Sequence, residues 1–222
     1  MRTKIAIESR YVSSPVNDLK DTVVLITGAG KGSGRLLAQA FARQGARIAA
    51  NDISPVNVGD VVDQINAQGG QAKAYIEDVA KKVGAQYLIK QVEEDFGQID
   101  ILINHAAVEP HIPLLEMDEW DWHRVLDVNL TGAFLMTQSV GRIMRAQGSG
   151  MIINLIATAG ASSGRESNAG AAFAASMMGL QGFTRQAAQE LRPFGIQVHA
   201  VESTGDVVKS VLALLSDEKE EP

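Results

Sequence analysis

Eight consecutive residues, Thr27-Gly28-Ala29-Gly30-Lys31-Gly32-Ser33-Gly34, close a short apolar run with four glycines in seven positions. Glycines at this density let the chain turn tightly and bring several backbone N–H groups against one anion. A helix starting here adds the positive end of its dipole, so the stretch suits the cradling of a pyrophosphate. Asp52 follows Gly34 by 18 residues, at the end of the next apolar run. A carboxylate there can accept hydrogen bonds from both hydroxyls of an adenosine ribose and would repel a 2′-phosphate. Together these features favour NAD over NADP, while Lys31 pulls mildly the other way. A blander reading stays open, in which the glycines only make a strand-to-helix turn and Asp52 only caps the next helix.

The elements that must position these groups follow from periodicity. Val23–Thr27 is mostly β-branched and apolar and reads as a buried parallel strand. Helical spacing over Gly34–Gln44 ends at Gly45, which suits a helix C′ position. Strands are expected at Arg47–Ala50, Gln71–Tyr75, Ile99–Ile103, Met151–Leu155 and Gln197–Val201. Helices are expected at Val56–Ala67, Val83–Phe96, Asp118–Ala146 (broken near its start), Ser167–Leu191 and Val207–Leu215. Strands alternating with helices of this length predict an α/β, doubly wound parallel sheet of Rossmann type, with helices on both faces. Residues 1–20 read as an N-terminal extension and 21–222 as a single domain.

The 222 residues are 45 % hydrophobic and 21 % charged, as in ordinary globular chains, with a net charge of −6. That balance argues against non-specific nucleic-acid binding and against an anionic membrane surface. The absence of cysteine excludes disulfides, thiolate nucleophiles and cysteine-ligated metals. His105, His111, His123 and His199 have no spacing with acids that suggests a metal site. No apolar run approaches the roughly 18 residues needed to span a bilayer, no signal peptide is visible, and a cytoplasmic location is expected.

Further along the chain, a series of motifs resembles the short-chain dehydrogenase/reductase family. The spacing Gly28-x3-Gly32-x-Gly34 is that family's phosphate loop. Asp78-Val79 resembles its adenine-contacting pair, and Asn104-His105-Ala106-Ala107 stands where the family has Asn-Asn-Ala-Gly. Val128-Asn129-Leu130-Thr131-Gly132, Met151–Leu155, Gly182-Phe183-Thr184-Arg185 and Gly195–Val201 follow in the family's order. The resemblance implies that Gly28, Gly30, Lys31, Gly32, Ser33, Gly34, Asp52, Asp78, Val79, Asn104 and Ala106 surround a dinucleotide. It also implies assembly as dimers or tetramers through residues 118–146 and 167–191.

The family's hydride transfer uses a tyrosine that exchanges the hydroxyl proton and a lysine four residues later. A serine and an asparagine complete the set. Here the corresponding positions are Phe173, Met177 and Ala157, and of the four only Asn129 is kept. Phe173 has no hydroxyl and Met177 no charge, so neither can take part in proton transfer. They are expected to pack against a partner or to fill the nicotinamide region. Ser33 and Ala107 also depart from the family's residues, changes that would weaken cofactor binding. After Val201 the chain passes almost at once to a last helix, so the substrate-covering segment and the seventh strand are expected to be absent, leaving six strands.

Four functional readings follow. The chain is a non-catalytic or regulatory subunit, of one kind or paired with an active family member. It is an NAD-binding module. It is an alcohol/ketone oxidoreductase, weakly active or with an acid displaced to Thr158 or His111. Or it is a scaffold without cofactor.

Overall fold

The computed structural model describes residues 19–157, 170–203 and 205–217. Six parallel strands form one sheet: β1 (Val23–Thr27), β2 (Arg47–Asn51), β3 (Gln71–Tyr75), β4 (Ile101–Asn104), β5 (Gly150–Ile156) and β6 (Ile196–Glu202). Their order across the sheet is β3-β2-β1-β4-β5-β6. The chain winds outward to β3, returns past β1, and winds outward again to β6. The crevice where that direction reverses, above the ends of β1 and β4, is where open α/β sheets place ligands. All five residues of β1 are buried, as a central strand covered on both faces requires.

The helices are α1 (Gly32–Arg43), α2 (Pro55–Ala67), α3 (Lys82–Phe96), α4 (Glu119–Leu126), α5 (Gly132–Gln147), α6 (Ala171–Leu191) and α7 (Val207–Asp217). One face of the sheet packs Val24, Ile26, Ile48 and Ile103 against Leu37 and Phe41 of α1, Val58 and Val61 of α2, and Val211 of α7. The other packs Val23, Leu25, Leu102 and Ile152 against Leu88 and Val92 of α3 and Met136, Val140 and Met144 of α5. Strand alternation divides neighbouring residues such as Val23 and Val24 between these two layers.

Several expected boundaries move. The strand expected from Ile99 begins at Ile101. The Ile99 N–H donates to Gln147 Oε1 at 3.3 Å, and its carbonyl accepts from Gln147 Nε2 at 3.1 Å, so a side chain replaces the neighbouring strand. The long helical region expected over 118–146 changes character in its first half, where a π-helical turn at Asp127–Thr131 separates α4 from α5. His199 lies in mid-β6 opposite Ile153. Residues 1–18 of the expected extension, and residues 167–169 of the expected helix start, lie outside the described residues.

Candidate functional site

Above the sheet's reversal point the glycine loop is tied down from both sides. On the β2 side, Ala29 N–H donates to the Asn51 carbonyl at 2.8 Å. Gly30 N–H donates to Asp52 Oδ2 at 3.0 Å, and Ser54 N–H donates to Asp52 Oδ1 at 2.9 Å. Each carboxylate oxygen keeps further acceptor capacity, so these contacts aim Asp52 without exhausting it. The cap of α2 is Ser54, whose Oγ accepts from Asn57 N–H at 3.3 Å. Asp52 acts one step earlier, by fixing the turn that presents Ser54.

On the β4 side, Thr27 Oγ1 accepts from the N–H groups of both His105 and Ala106 at 3.1 Å. The His105 ring, which also lines the cleft described below, reaches the loop, with Nδ1 3.0 Å from the Gly28 carbonyl oxygen and Nε2 3.2 Å from the Gly34 nitrogen. Burial pushes the imidazole below its ordinary value, against the upward pull of its hydrogen-bonded backbone neighbours and of the Asp52 charge. The sequence offered no means of pairing His105 with Gly34, 71 positions away.

A cleft of about 260 Å³ opens between these two sides, and Gly28, Lys31, Asp52, Asp78, Val79 and Ala106 are among its walls. Val79 is buried, while Asp78 is exposed and its Oδ1 accepts from Ala80 N–H at 2.9 Å, shaping the turn into α3. Gly32 and Ser33 form the first turn of α1, whose first residue follows the extended Lys31. A carboxylate on one wall, with Gly28 and Lys31 leading into the N-terminus of α1 on another, makes a set that fits the adenosine and pyrophosphate parts of a dinucleotide. Asn104 is not on the wall of this cleft but lines a small adjoining cavity of about 10 Å³ together with Asn129 and Met177; the cavity and the cleft share Val79, Ala106, Ala107 and Val128.

The positions that the sequence resemblance assigned to the catalytic set, Phe173, Met177 and Ala157, fall in or against one apolar cluster. Phe173 and Met177 are 2 % and 5 % exposed and pack with Val125, Ala133, Ile156, Ala172 and Leu180 of the same chain. Of the two expectations for them, packing against a partner does not hold, since their own domain covers them. Ala157, partly buried, packs against the same cluster. Asn129 sits in the π-helical turn. Its Nδ2 donates to the Val108 carbonyl at 3.0 Å and to Ser176 Oγ at 3.0 Å, and its Oδ1 accepts from Val108 N–H at 2.8 Å. These bonds use both amide hydrogens and one acceptor site of Asn129 to hold the loop after β4 to α6. His111 is exposed on that loop. Thr158, Ser162, Ser163, Arg165, Glu166 and Ser167 lie outside the described residues.

A buried polar chain supports the site from below. Asn104 Nδ2 donates to Thr137 Oγ1 at 3.3 Å and to Asn154 Oδ1 at 2.8 Å. Asn154 Nδ2 donates in turn to Thr184 Oγ1 at 2.8 Å. Asn154 is fully buried, so Asn154→Ala strands polar groups on both neighbours. The expected cost is about 2–3 kcal/mol, read as a lower midpoint in urea with an unchanged slope.

Among the described residues, no helix is long and apolar enough to cross a membrane, and no cluster of three or more His, Asp or Glu is placed to hold a metal ion.

The chain matches the family model described as short chain dehydrogenase over residues 22–214. It is 39 % identical over 181 residues to a 3-oxoacyl-[acyl-carrier-protein] reductase of Synechocystis sp., covering 81 % of this chain and 72 % of the relative. It is 34 % identical over 183 residues to the BbsD subunit of (2S)-[(R)-hydroxy(phenyl)methyl]succinyl-CoA dehydrogenase of Thauera aromatica, covering 82 % and 72 %. Among solved structures, it is similar to a metagenomic short-chain oxidoreductase in complex with NADP, with a TM-score of 0.83, 27 % identity and coverage of 92 % and 95 %. It is also similar to an NAD+-bound xylitol dehydrogenase, with a TM-score of 0.77, 29 % identity and coverage of 90 % and 77 %. The glycine loop, the sheet order and these matches agree, and the chain belongs to the short-chain dehydrogenase family.

Proposed function

We propose that this protein is a cytoplasmic dinucleotide-binding member of the family that is silent in hydride transfer and serves as a non-catalytic subunit of an oligomer. The observation that carries this reading is the contrast between its two half-sites. The nucleotide side keeps a cleft with an aimed carboxylate. The side aligned with the catalytic set holds Phe173 and Met177 in an apolar cluster. Proton transfer to an alkoxide needs a group with a titratable hydrogen within reach. Neither side chain has one, and Asn129 is engaged with Val108 and Ser176. A lost general acid costs about 10²–10⁴-fold, and a lost oxyanion donor about 10²–10³-fold.

NAD is the favoured cofactor, because Asp52 is buried beside the loop and would repel a 2′-phosphate. Assembly is expected through residues 118–146 and 167–191, as a homo-oligomer or with an active family member. In support, α5 and α6 leave an outward groove of about 410 Å³ carrying Phe134, Arg145, Phe183 and Phe194. The name of the Thauera relative marks it as one subunit of a dehydrogenase, which favours the paired arrangement.

Titration of the purified protein with NADH and NADPH, followed by nicotinamide fluorescence, tests the reading. The expected result is saturable binding of NADH, weaker binding of NADPH, and no oxidation of NADH with simple ketones. Turnover by the isolated chain would overturn the silent assignment, and no binding of either nucleotide would overturn the cofactor assignment.

A further inference from the structure

We infer that His105 is a positioning residue for the phosphate loop, and that the loop holds its dinucleotide-binding shape only while the His105 ring is neutral with its proton on Nδ1. The inference rests on the dinucleotide-binding reading for its ligand, but the arrangement of the ring can be read without any ligand.

The assignment of the proton comes from the two partners. The Gly28 carbonyl can only accept, so Nδ1, 3.0 Å away, must carry a hydrogen. The Gly34 N–H can only donate, so Nε2, 3.2 Å away, must offer its lone pair. One ring therefore joins the first and last glycines of the loop, Gly28 and Gly34. Its backbone is fixed at the same time, since the His105 N–H donates to Thr27 Oγ1. Within α1, Gly34 lies in the first turn, where N–H groups have no partner inside the helix. His105 takes up one of these amides. The division leaves Gly32 and Ser33, earlier in the same turn, as the amides facing the anion.

Protonation would place an N–H on Nε2 directly against the Gly34 N–H. Two donors would then face each other at hydrogen-bond distance, and the ring or the loop must move. The charged groups around the ring are Asp52 from the end of β2, Lys31 in the loop, and Glu77 and Asp78 after β3, all on the walls of the same cleft. Asp52 favours the charged ring, but desolvation is the larger influence and holds the imidazole below its ordinary value of 6.5. Because the folded-state value is lowered, the neutral ring's contribution to stability is complete above the unfolded value. It is lost as the pH falls toward the folded one.

Two effects of acid compete once a dinucleotide binds. A charged ring attracts the pyrophosphate, which would strengthen binding at low pH. A broken bridge releases the loop that carries the binding amides, which would weaken it. His105 also lines the cleft, but both of its ring nitrogens are taken up by Gly28 and Gly34, so loss of the bridge is expected to dominate.

The test uses the full chain, with NAD+ as the probe in calorimetric titrations between about pH 5 and pH 8. Wild type should bind with constant affinity in the upper part of this range. Below the ring's own pKa, affinity should fall by about tenfold per pH unit, the slope of one linked proton. His105→Gln supplies one donor and one acceptor at a spacing close to that of the ring nitrogens. It should keep the high-pH affinity and lose the acid limb. His105→Ala should bind about tenfold or more weakly than wild type at high pH, since both ends of the bridge are lost, and should show no acid limb. Affinity that rises in acid, an acid limb that persists in His105→Gln, or wild-type binding by His105→Ala would each overturn the inference.

Long-range ¹H–¹⁵N spectra of the ligand-free protein supply an independent reading. The His105 signals, assigned by their loss in His105→Gln, should show the Nδ1–H tautomer at neutral pH. An Nε2–H tautomer or a charged ring would overturn the inference. If NAD+ binds at no pH, the cofactor assignment fails, and the tautomer and the hydrogen-exchange protection of the Gly34 amide still decide the bridge.

Discussion

Met177→Lys should lower the stability of the protein by about 3–5 kcal/mol at neutral pH, the cost of burying a charge without a partner. The side chain it replaces is 5 % exposed, among Val125, Ala133, Ile156, Phe173 and Leu180. The nearby polar groups on the cavity wall belong to Asn104 and Asn129. Neither is an anion: Asn129 already serves Val108 and Ser176, and the partnerless Asn104 Oδ1 offers an acceptor but no charge. A lysine held there has its pKa lowered, so the unfolded state binds more protons than the folded one. Stability of the variant should then rise with pH toward the ordinary lysine value, a slope absent from wild type. Urea denaturation at about pH 7 and pH 9 measures both quantities. A variant as stable as wild type, with no added pH slope, would mean that the lysine reaches water or an anion, and that this part of the family site is still open.

Gly34→Ala should weaken dinucleotide binding by about 100-fold and cost about 1–3 kcal/mol of stability, as overpacking does when the neighbours cannot yield. A methyl group on Gly34 would run into the Gly28 carbonyl oxygen and come within 2.6 Å of His105 Nδ1. Gly28 cannot retreat. It holds a positive φ of 65°, and its own missing Cβ would stand 2.9 Å from the Ala106 backbone. The contrast is Gly59→Ala in α2, where nothing lies within 4 Å of the added methyl. That change should raise stability by about 0.5–1 kcal/mol and leave binding alone, since alanine is the better helix former. Thermal melts of the two variants beside wild type, with and without NAD+, distinguish a local clash from a general intolerance of substitution.

The sheet was legible because its central strands β1, β4 and β5 are short, largely β-branched or apolar runs between turn residues, and the helices because their buried positions recur with helical spacing. The errors fall where backbone groups find partners that periodicity cannot announce. Ile99 looks like strand and is fully buried, yet its hydrogen bonds go to the side chain of Gln147. The π-helical turn at Asp127–Thr131 inserts one extra residue per turn into a stretch whose composition is ordinary helix. The candidate cleft was legible through its glycines and Asp52, since those residue types carry the signal themselves. His105 stood in a family motif with an asparagine as its counterpart, and nothing in one chain pairs it with two glycines more than seventy positions earlier. The polar chain from Thr137 to Thr184 was equally hidden, because its members look like ordinary residues of strands and helices.

That chain also acts on how β4 and β5 find each other. Asn104 and Asn154 are register partners, and their amides meet at 2.8 Å. Parallel runs such as Ile101–Asn104 and Met151–Asn154 are so uniformly apolar that a slipped alignment would still bury carbon against carbon. A slip of one residue, however, turns one amide toward the opposite layer and strands its mate, with Thr137 or Thr184, in apolar surroundings. Each unmatched group costs about 1–3 kcal/mol. The two asparagines thus work as a lock and key during folding, penalising every misalignment of a pair of strands whose hydrophobic surfaces would otherwise accept several.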